Sequence, residues 1–255
     1  MADPGAAEIA VLAAVALVAG TVDAIAGGGG LLTVPALLAA GLPPHLALAT
    51  NKGQSVFGSL AATLRFARAG LVDGRRARVA FPAGAIGSLA GAALVLVVPP
   101  DRLRPVVLVL LAFAALFVGL RRAPPRPLAA AGPPRAEGPL AAAIALVVGA
   151  YDGFFGPGTG TFLIVAFVAL LGDGLARASA SAKIVNFASN LAAVLLFAAR
   201  GLVVWRVALP MAAAQLAGGW LGAHLAVRRG DVLVRRVVVG VTLALALKLA
   251  WDMRG

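Results

Sequence analysis

Two stretches of the chain, Gly20 to Leu94 and Gly149 to Leu225, are copies of one another, and both are almost wholly apolar. Val22-Asp23-Ala24-Ile25-Ala26-Gly27-Gly28-Gly29 lies over Tyr151-Asp152-Gly153-Phe154-Phe155-Gly156-Pro157-Gly158 at a constant offset of 129 residues. After a two-residue gap, an offset of 131 sets Lys52 on Lys183, Leu60-Ala61-Ala62 on Leu191-Ala192-Ala193, Gly70-Leu71-Val72 on Gly201-Leu202-Val203, and the Gly87/Gly91 pair on Gly218/Gly222. A duplicated hydrophobic unit, broken by glycine at matching places, is a common way to build a membrane carrier that holds its ligand where the halves meet.

Composition places the chain in a bilayer. It is 61% apolar and 13% charged, where soluble domains run at roughly half and a quarter. The formal charge of +12 would suggest nucleic acid in a soluble protein, but the arginines sit in short loops between apolar runs, the positive-inside pattern. Nucleic-acid binding is therefore set aside, and a multi-pass protein of the inner (plasma) membrane is expected. With no cysteine, disulfides, thiolate catalysis and Cys-ligated metals are excluded. Asp3 and Glu8 stand where a signal peptide would carry basic residues, so the run from Ile9 reads as a retained first helix.

Lys52 and Lys183 are the lysines that lie inside apolar segments away from their ends. A charge at bilayer depth costs at least about 2.5–3.5 kcal/mol on insertion scales, so each needs a cavity or a partner. Two readings are compatible: an anion site, or buried ion pairs holding each half together, Asp23 with Lys52 and Asp152 with Lys183. The glycine runs Gly27–Gly30 and Gly156–Gly160 are followed by no Gly-Lys-Ser/Thr and no parallel-sheet pattern, which rejects a nucleotide loop. Glycine lets a helix unwind, freeing N–H groups beside the positive end of the next helix, a nest suited to an oxyanion. Close helix packing or a hinge is the competing use of the same glycines. Thr33, Thr50, Asn51, Gln54, Ser55, Asn186, Ser189 and Asn190 add neutral groups near the same depth, each of which could equally be interhelical glue. Gly87-x-x-x-Gly91 and Gly218-x-x-x-Gly222 read as small-residue faces for tight crossing. His45 and His224 lack further ligands at metal spacing, and Trp205 and Trp251 read as interfacial residues.

Asp23-Ala24-Ile25-Ala26-Gly27-Gly28-Gly29-Gly30-Leu31-Leu32-Thr33-Val34-Pro35, followed by Ala49-Thr50-Asn51-Lys52, forms the first motif. Tyr151-Asp152-Gly153-Phe154-Phe155-Gly156-Pro157-Gly158-Thr159-Gly160-Thr161, followed by Ala182-Lys183-Ile184-Val185-Asn186-Phe187-Ala188-Ser189-Asn190, forms the second. Together, and in this order, they resemble the TauE/SafE family of sulfite and organosulfonate exporters. The resemblance implies transport of a small anion, a sulfur oxyanion or sulfonate foremost, and spans nearly the whole chain apart from the linker.

The expected protein is thus an all-α polytopic transporter of two inverted repeats, each of about five hydrophobic segments, working by alternating access at the repeat interface. Substrate contacts are expected from Lys52, Lys183, Asn51, Thr50, Gln54, Gly28, Gly29, Gly30, Thr33, Gly158, Thr159, Gly160, Asn186 and Asn190, with Asp23 and Asp152 coupling the anion to protons. An anion-selective channel and a carrier of carboxylates or other small metabolites are the alternatives. An intramembrane enzyme would need a nucleophile with its base or a metal cluster, and the buried inventory supplies neither. No cofactor or metal is expected. The expected partners are the small anion, the bilayer and, as an option the sequence leaves open, a second copy in a homodimer.

Ten apolar segments can be marked, at 8–26, 31–42, 45–67, 79–98, 103–120, 139–155, 161–172, 176–199, 207–226 and 232–250. The first repeat covers 1–120 and the second 139–255. Between them, Arg121 to Pro139 hold six prolines and four arginines, which makes 121–138 an extended cytoplasmic linker. Pro99-Pro100-Asp101 and Gly230-Asp231 are expected to start the fifth segment of each half. Segments 31–42 and 161–172 each span about 18 Å as helix against a core of about 30 Å, so they are either broken or half-crossing. If all ten cross, fourteen basic residues fall on one side and six on the other, which places both termini outside. In this cysteine-free chain, Ala130→Cys should label only from the cytoplasm and Asp3→Cys only from outside; labelling of 130 in intact cells, with none at 3, would reject the ten-crossing topology.

Overall fold

The computed structural model describes residues 4–120 and 137–252, with side chains for 4–117 and 137–229. Within them lie nine helices and no strand: α1 (Ala6–Ala26), α2 (Gly30–Ala39), α3 (Pro44–Arg68), α4 (Gly74–Val97), α5 (Pro100–Leu120), α6 (Glu137–Phe154), α7 (Thr159–Leu171), α8 (Leu175–Ala199) and α9 (Trp205–Asp252). By length and composition α1, α4 and α8 are each apolar enough to cross a bilayer. The chain is an all-helical, multi-pass membrane protein. The expected linker at 121–138 falls almost wholly outside the described residues.

The first eight expected segments appear as separate helices, and α5 begins at Pro100 as the sequence indicates. Segments nine and ten do not separate: α9 runs unbroken through Gly230-Asp231. A single glycine costs a helix only about 1 kcal/mol relative to alanine, and no proline stands there to remove a backbone donor, so the continuous helix prevails. The side chains of 232–250 lie outside the described residues.

Equivalent helices end alike. At the C-terminus of α3, Gly70 (φ 69°) is left-handed and Leu71 N–H donates to Phe66 O at 3.2 Å; after α8, Gly201 (φ 67°) and Leu202 N–H to Phe197 O at 3.0 Å repeat the arrangement. This six-to-one bond with a left-handed glycine is the Schellman motif, and it satisfies carbonyls that the helix leaves unpaired. Beyond α8, Val204 N–H donates to Thr50 Oγ1 near the start of α3, while Asn190 within α8 meets Ser59 further along α3. The two equivalent helices therefore run antiparallel.

Packing between the halves is reciprocal. A Cβ built on Gly87 or Gly91 of α4 would lie 2.1 Å from Leu146 O or 2.0 Å from Ala150 O on α6. On α9, Gly218 and Gly222 would meet Leu17 O and Thr21 O of α1, each at 2.2 Å. Leu17 and Thr21 are the repeat equivalents of Leu146 and Ala150, so each half's fourth segment crosses the other half's first, the pattern of an isologous interface. Backbones approach this closely only where no side chain intervenes, and in lipid such van der Waals contact drives helix association.

The two ends of the bundle differ. At one end Arg76 of α4 donates to Asp173 in the α7–α8 turn, to Glu137 of α6 and to Ser181 of α8 at 3.2 Å. Burial acts first on Asp173 and pushes its carboxyl above the ordinary aspartate range, against the pull of Arg76. At the positions equivalent to Arg76, Asp173 and Ser181 the other half carries Val207, Leu42 and Thr50, and Val207 and Leu42 belong there to an apolar cluster with Leu12, Leu37 and Met211.

Gly91→Ala and Gly222→Ala should each lower the melting temperature of the detergent-purified protein, since overpacking costs about 1–3 kcal/mol. Gly74→Ala, whose Cβ would meet nothing within 4 Å, should leave it within a degree or two. Equal melting of all three variants would remove the close crossings as a source of stability.

Candidate functional site

The breaks between α1 and α2 and between α6 and α7 meet at the centre of the molecule. Gly27 and Gly28 have φ of 77° and 86°, and Gly156 and Gly158 have 96° and 87°, a conformation that glycine adopts freely and L side chains rarely do. Thr161 Oγ1 of α7 donates to Ala26 O at the end of α1 at 3.1 Å, and Ser179 Oγ of α8 donates to Ile25 O at 3.1 Å. A Cβ on Gly27 would lie 2.2 Å from Thr161 N, and one on Gly30 would lie 3.0 Å from Pro157 Cα. The N-termini of two short helices are thereby brought together, each contributing roughly half a positive charge.

Beside these termini sit the two lysines, and their partners differ from the sequence expectation. Lys52 Nζ donates to Asp152 Oδ1 at 2.7 Å and to Asn190 Oδ1 at 3.1 Å; Lys183 Nζ donates to Asp23 Oδ2 at 2.7 Å. Each ion pair therefore joins one half to the other, where pairs within each half, Asp23 with Lys52 and Asp152 with Lys183, were expected. The reason is the contact of the two breaks: it turns the aspartate at the end of α1 toward α8, and the one at the end of α6 toward α3. Lys52 is 2% and Lys183 0% exposed, so neither ammonium is left to water.

A small polar cavity of about 30 Å³ lies between the pairs, room for one or two waters. Asp23, Gly28, Gly30, Asn51, Lys52, Asp152, Gly158, Thr159, Gly160, Asn186 and Asn190 line it, as do Ser55, Gly156 and Gln215. Two lysines and two aspartates cancel formally, so the helix N-termini leave the cavity with a net positive potential of about one charge. Charge-assisted hydrogen bonds of lysine and backbone N–H groups to an oxyanion are the chemistry such a lining supports.

Five expected site residues stand back from the cavity. Lys183 reaches its neighbourhood only through Asp23 and Gly160, whose added Cβ would lie 3.3 Å from Lys183 Nζ. Thr33 Oγ1 and Gln54 Nε2 both donate to Asn51 Oδ1, at 2.6 and 2.9 Å, and Gln54 Nε2 also donates to Ser55 Oγ at 3.0 Å, so the two side chains fix Asn51 and Ser55 from behind the lining. Thr50 accepts the Val204 N–H. Gly29 is helical, with φ −54°, and its N–H donates to Asp23 Oδ1 at 3.1 Å, which corrects the expectation of a free left-handed donor there. Its role is space: a Cβ would fall 2.7 Å from Asp23 Cβ.

Gln215 was missed by the sequence reading. It is the one amide in the apolar run Val207–Ala226, which is itself a signal, but the repeat comparison hid it because its equivalent is Gly84. Both histidines have other employment. His45 Nε2 lies 3.1 Å from Val98 O, and His224 Nδ1 accepts from Arg65 Nε at 3.2 Å. Trp205 is exposed at the start of α9, and the side chain of Trp251 lies outside the described residues.

The family model described as "Sulfite exporter TauE/SafE" matches residues 12–249. A protein of Escherichia coli K12 named as the probable membrane transporter protein YfcA is 40% identical over 248 residues, covering 97% of this chain and 91% of that one. One from a Sinorhizobium species, named as the probable membrane transporter protein ORF9, is 39% identical over 246 residues, covering 96% and 93%. A probable membrane transporter protein of Haemophilus influenzae is 37% identical over 252 residues, covering 98% and 97%. No solved structure matches the chain.

Removing one member of a buried ion pair costs about 3–5 kcal/mol, because it strands the other charge. Lys52→Met should therefore lower the melting temperature sharply, and adding Asp152→Asn should restore most of the loss, whereas adding Asp23→Asn should not. Rescue by Asp23→Asn in place of Asp152→Asn would reinstate pairing within each half.

Proposed function

The chain belongs to the sulfite exporter TauE/SafE family, and from that premise we propose that it is a secondary transporter carrying a small anion, a sulfur oxyanion or organosulfonate foremost, through the cavity between its halves. The observation that carries the reading is the convergence of two helix N-termini and the Lys52–Asp152 and Lys183–Asp23 pairs on one buried polar cavity. An entering oxyanion competes with the aspartates for the ammonium groups and the freed N–H groups. Asp23 and Asp152, displaced from their lysines, are the carboxylates placed to carry a proton with the anion. That exchange couples anion and proton movement.

Alternating access is favoured over an open pore by the size of the cavity: an anion larger than water enters only when the halves shift. The antiparallel course of α3 and α8 and the reciprocal crossings of α4 with α6 and of α9 with α1 support two inverted repeats rocking about this point. With the inner membrane as its location and the 121–138 linker in the cytoplasm, the Arg76 cluster faces the cytoplasm and the apolar cluster around Val207 faces outward.

In proteoliposomes, sulfite or a simple sulfonate should be taken up with saturable kinetics and acidify or alkalinise the lumen in step. Lys52→Gln and Lys183→Gln should each weaken uptake at least tenfold, about 1.4 kcal/mol, when measured in the pair-neutral backgrounds Asp152→Asn and Asp23→Asn so that folding is kept. Flux that never saturates would favour a channel, and selective uptake of carboxylates over sulfur anions would move the substrate class.

A further inference from the structure

Three residues of the cavity lining each hold a buried oxygen that the protein leaves unpaired. Gln215 Oε1, Asp152 Oδ2 and Asn186 Oδ1 are buried oxygens with no hydrogen-bond partner, and all three residues line the cavity. The charged donors nearest them are committed elsewhere, Lys52 Nζ to Asp152 Oδ1 and Asn190 and Lys183 Nζ to Asp23, and the Gly29 N–H is bound to Asp23. A buried polar atom without a partner is destabilising, and native proteins keep few of them unless the site has a use for them.

Gln215, 2% exposed, also stands where the two halves differ. Its side chain runs through a notch made by two glycines: a Cβ on Gly58 would lie 2.3 Å from Gln215 Cγ, and one on Gly20 would lie 3.2 Å from it. By the repeat offsets, Gly20, Gly58 and Gln215 correspond to Gly149, Ser189 and Gly84. One half thus opens space on α3 for a long amide from α9, while the other carries a small residue on α4 and a serine on α8. If the notch needed only filling, an apolar side chain would fill it without stranding an oxygen. The cavity is therefore unlike on its two sides, with an unpaired amide oxygen on one and nothing equivalent on the other.

We propose that Gln215 is a specificity-determining residue that accepts a hydrogen bond from the bound anion, so that the site selects anions bearing an O–H or N–H group over anions that bring acceptors alone. A fully deprotonated oxyanion can take up the N–H groups of the breaks but leaves the Gln215 oxygen without a donor. An anion with its own donor satisfies an oxygen that the protein leaves empty, and sites built to meet a ligand hydroxyl reject the analogue lacking it. This rests on the cavity being the anion site.

The test is calorimetric binding to the purified full chain of two sulfonates of equal charge, ethanesulfonate and 2-hydroxyethanesulfonate, which differ by one hydroxyl. The wild-type protein should bind the hydroxylated anion at least about tenfold more tightly. Gln215→Met, an unbranched replacement that still fills the notch, and Gln215→Leu as a second apolar variant should bring that ratio below about threefold. Equal affinities in the wild-type protein, or a ratio that survives in a folded variant, overturns the proposal while leaving the anion site standing. Binding of neither sulfonate removes the anion site and this proposal together.

Discussion

An ammonium group held in hydrocarbon needs a carboxylate beside it, and each half of this chain takes that carboxylate from the other. Lys52 has Asp152, and Lys183 has Asp23. At the low effective dielectric of such a site the attraction is several times stronger than at a surface, and an unpaired charge would cost more than the pair returns. Everything else at the centre follows from placing those four groups within reach. The breaks must touch so that the aspartates cross over, the short helices must begin there, and α3 and α8 must lie side by side.

Glycine makes that approach possible in two different ways. At Gly27, Gly28, Gly156 and Gly158 the backbone itself takes a left-handed turn, whereas at Gly87, Gly91, Gly218 and Gly222 the helices stay regular and glycine serves only to remove a side chain from a crossing. The same residue type thus gives flexibility at the centre and rigidity along the flanks.

Much of this is legible in the sequence. The repeat offsets, the paired lysines and the glycine breaks follow directly from residue identity, and the structure places eleven of the sixteen expected site residues on one cavity. Which aspartate faced which lysine was not legible, because sequence proximity favours pairing within a half and only the apposition of the breaks reverses it. Gly29 misled for a related reason: a run of four glycines does not say which of them turn, and here the third is helical and packs on Asp23. Gly230-Asp231 misled because a lone glycine weakens a helix without ending one. Gln215 escaped notice because symmetry was the guide and it stands where symmetry fails.

The crossed pairing also sets a schedule for biogenesis. Lys52 precedes Asp152 by one hundred residues and Asp23 precedes Lys183 by one hundred and sixty, so at about 5–20 residues per second the first half waits roughly 5–30 s for its counterions to be made. During that interval the nascent first half carries a charge it cannot yet neutralise natively. Until the second half emerges, Lys52 and Asp23 are held at least cost where water or a non-native partner reaches them. Two polypeptides encoding the halves separately would each carry one lysine and one aspartate without their native counterions until the halves met.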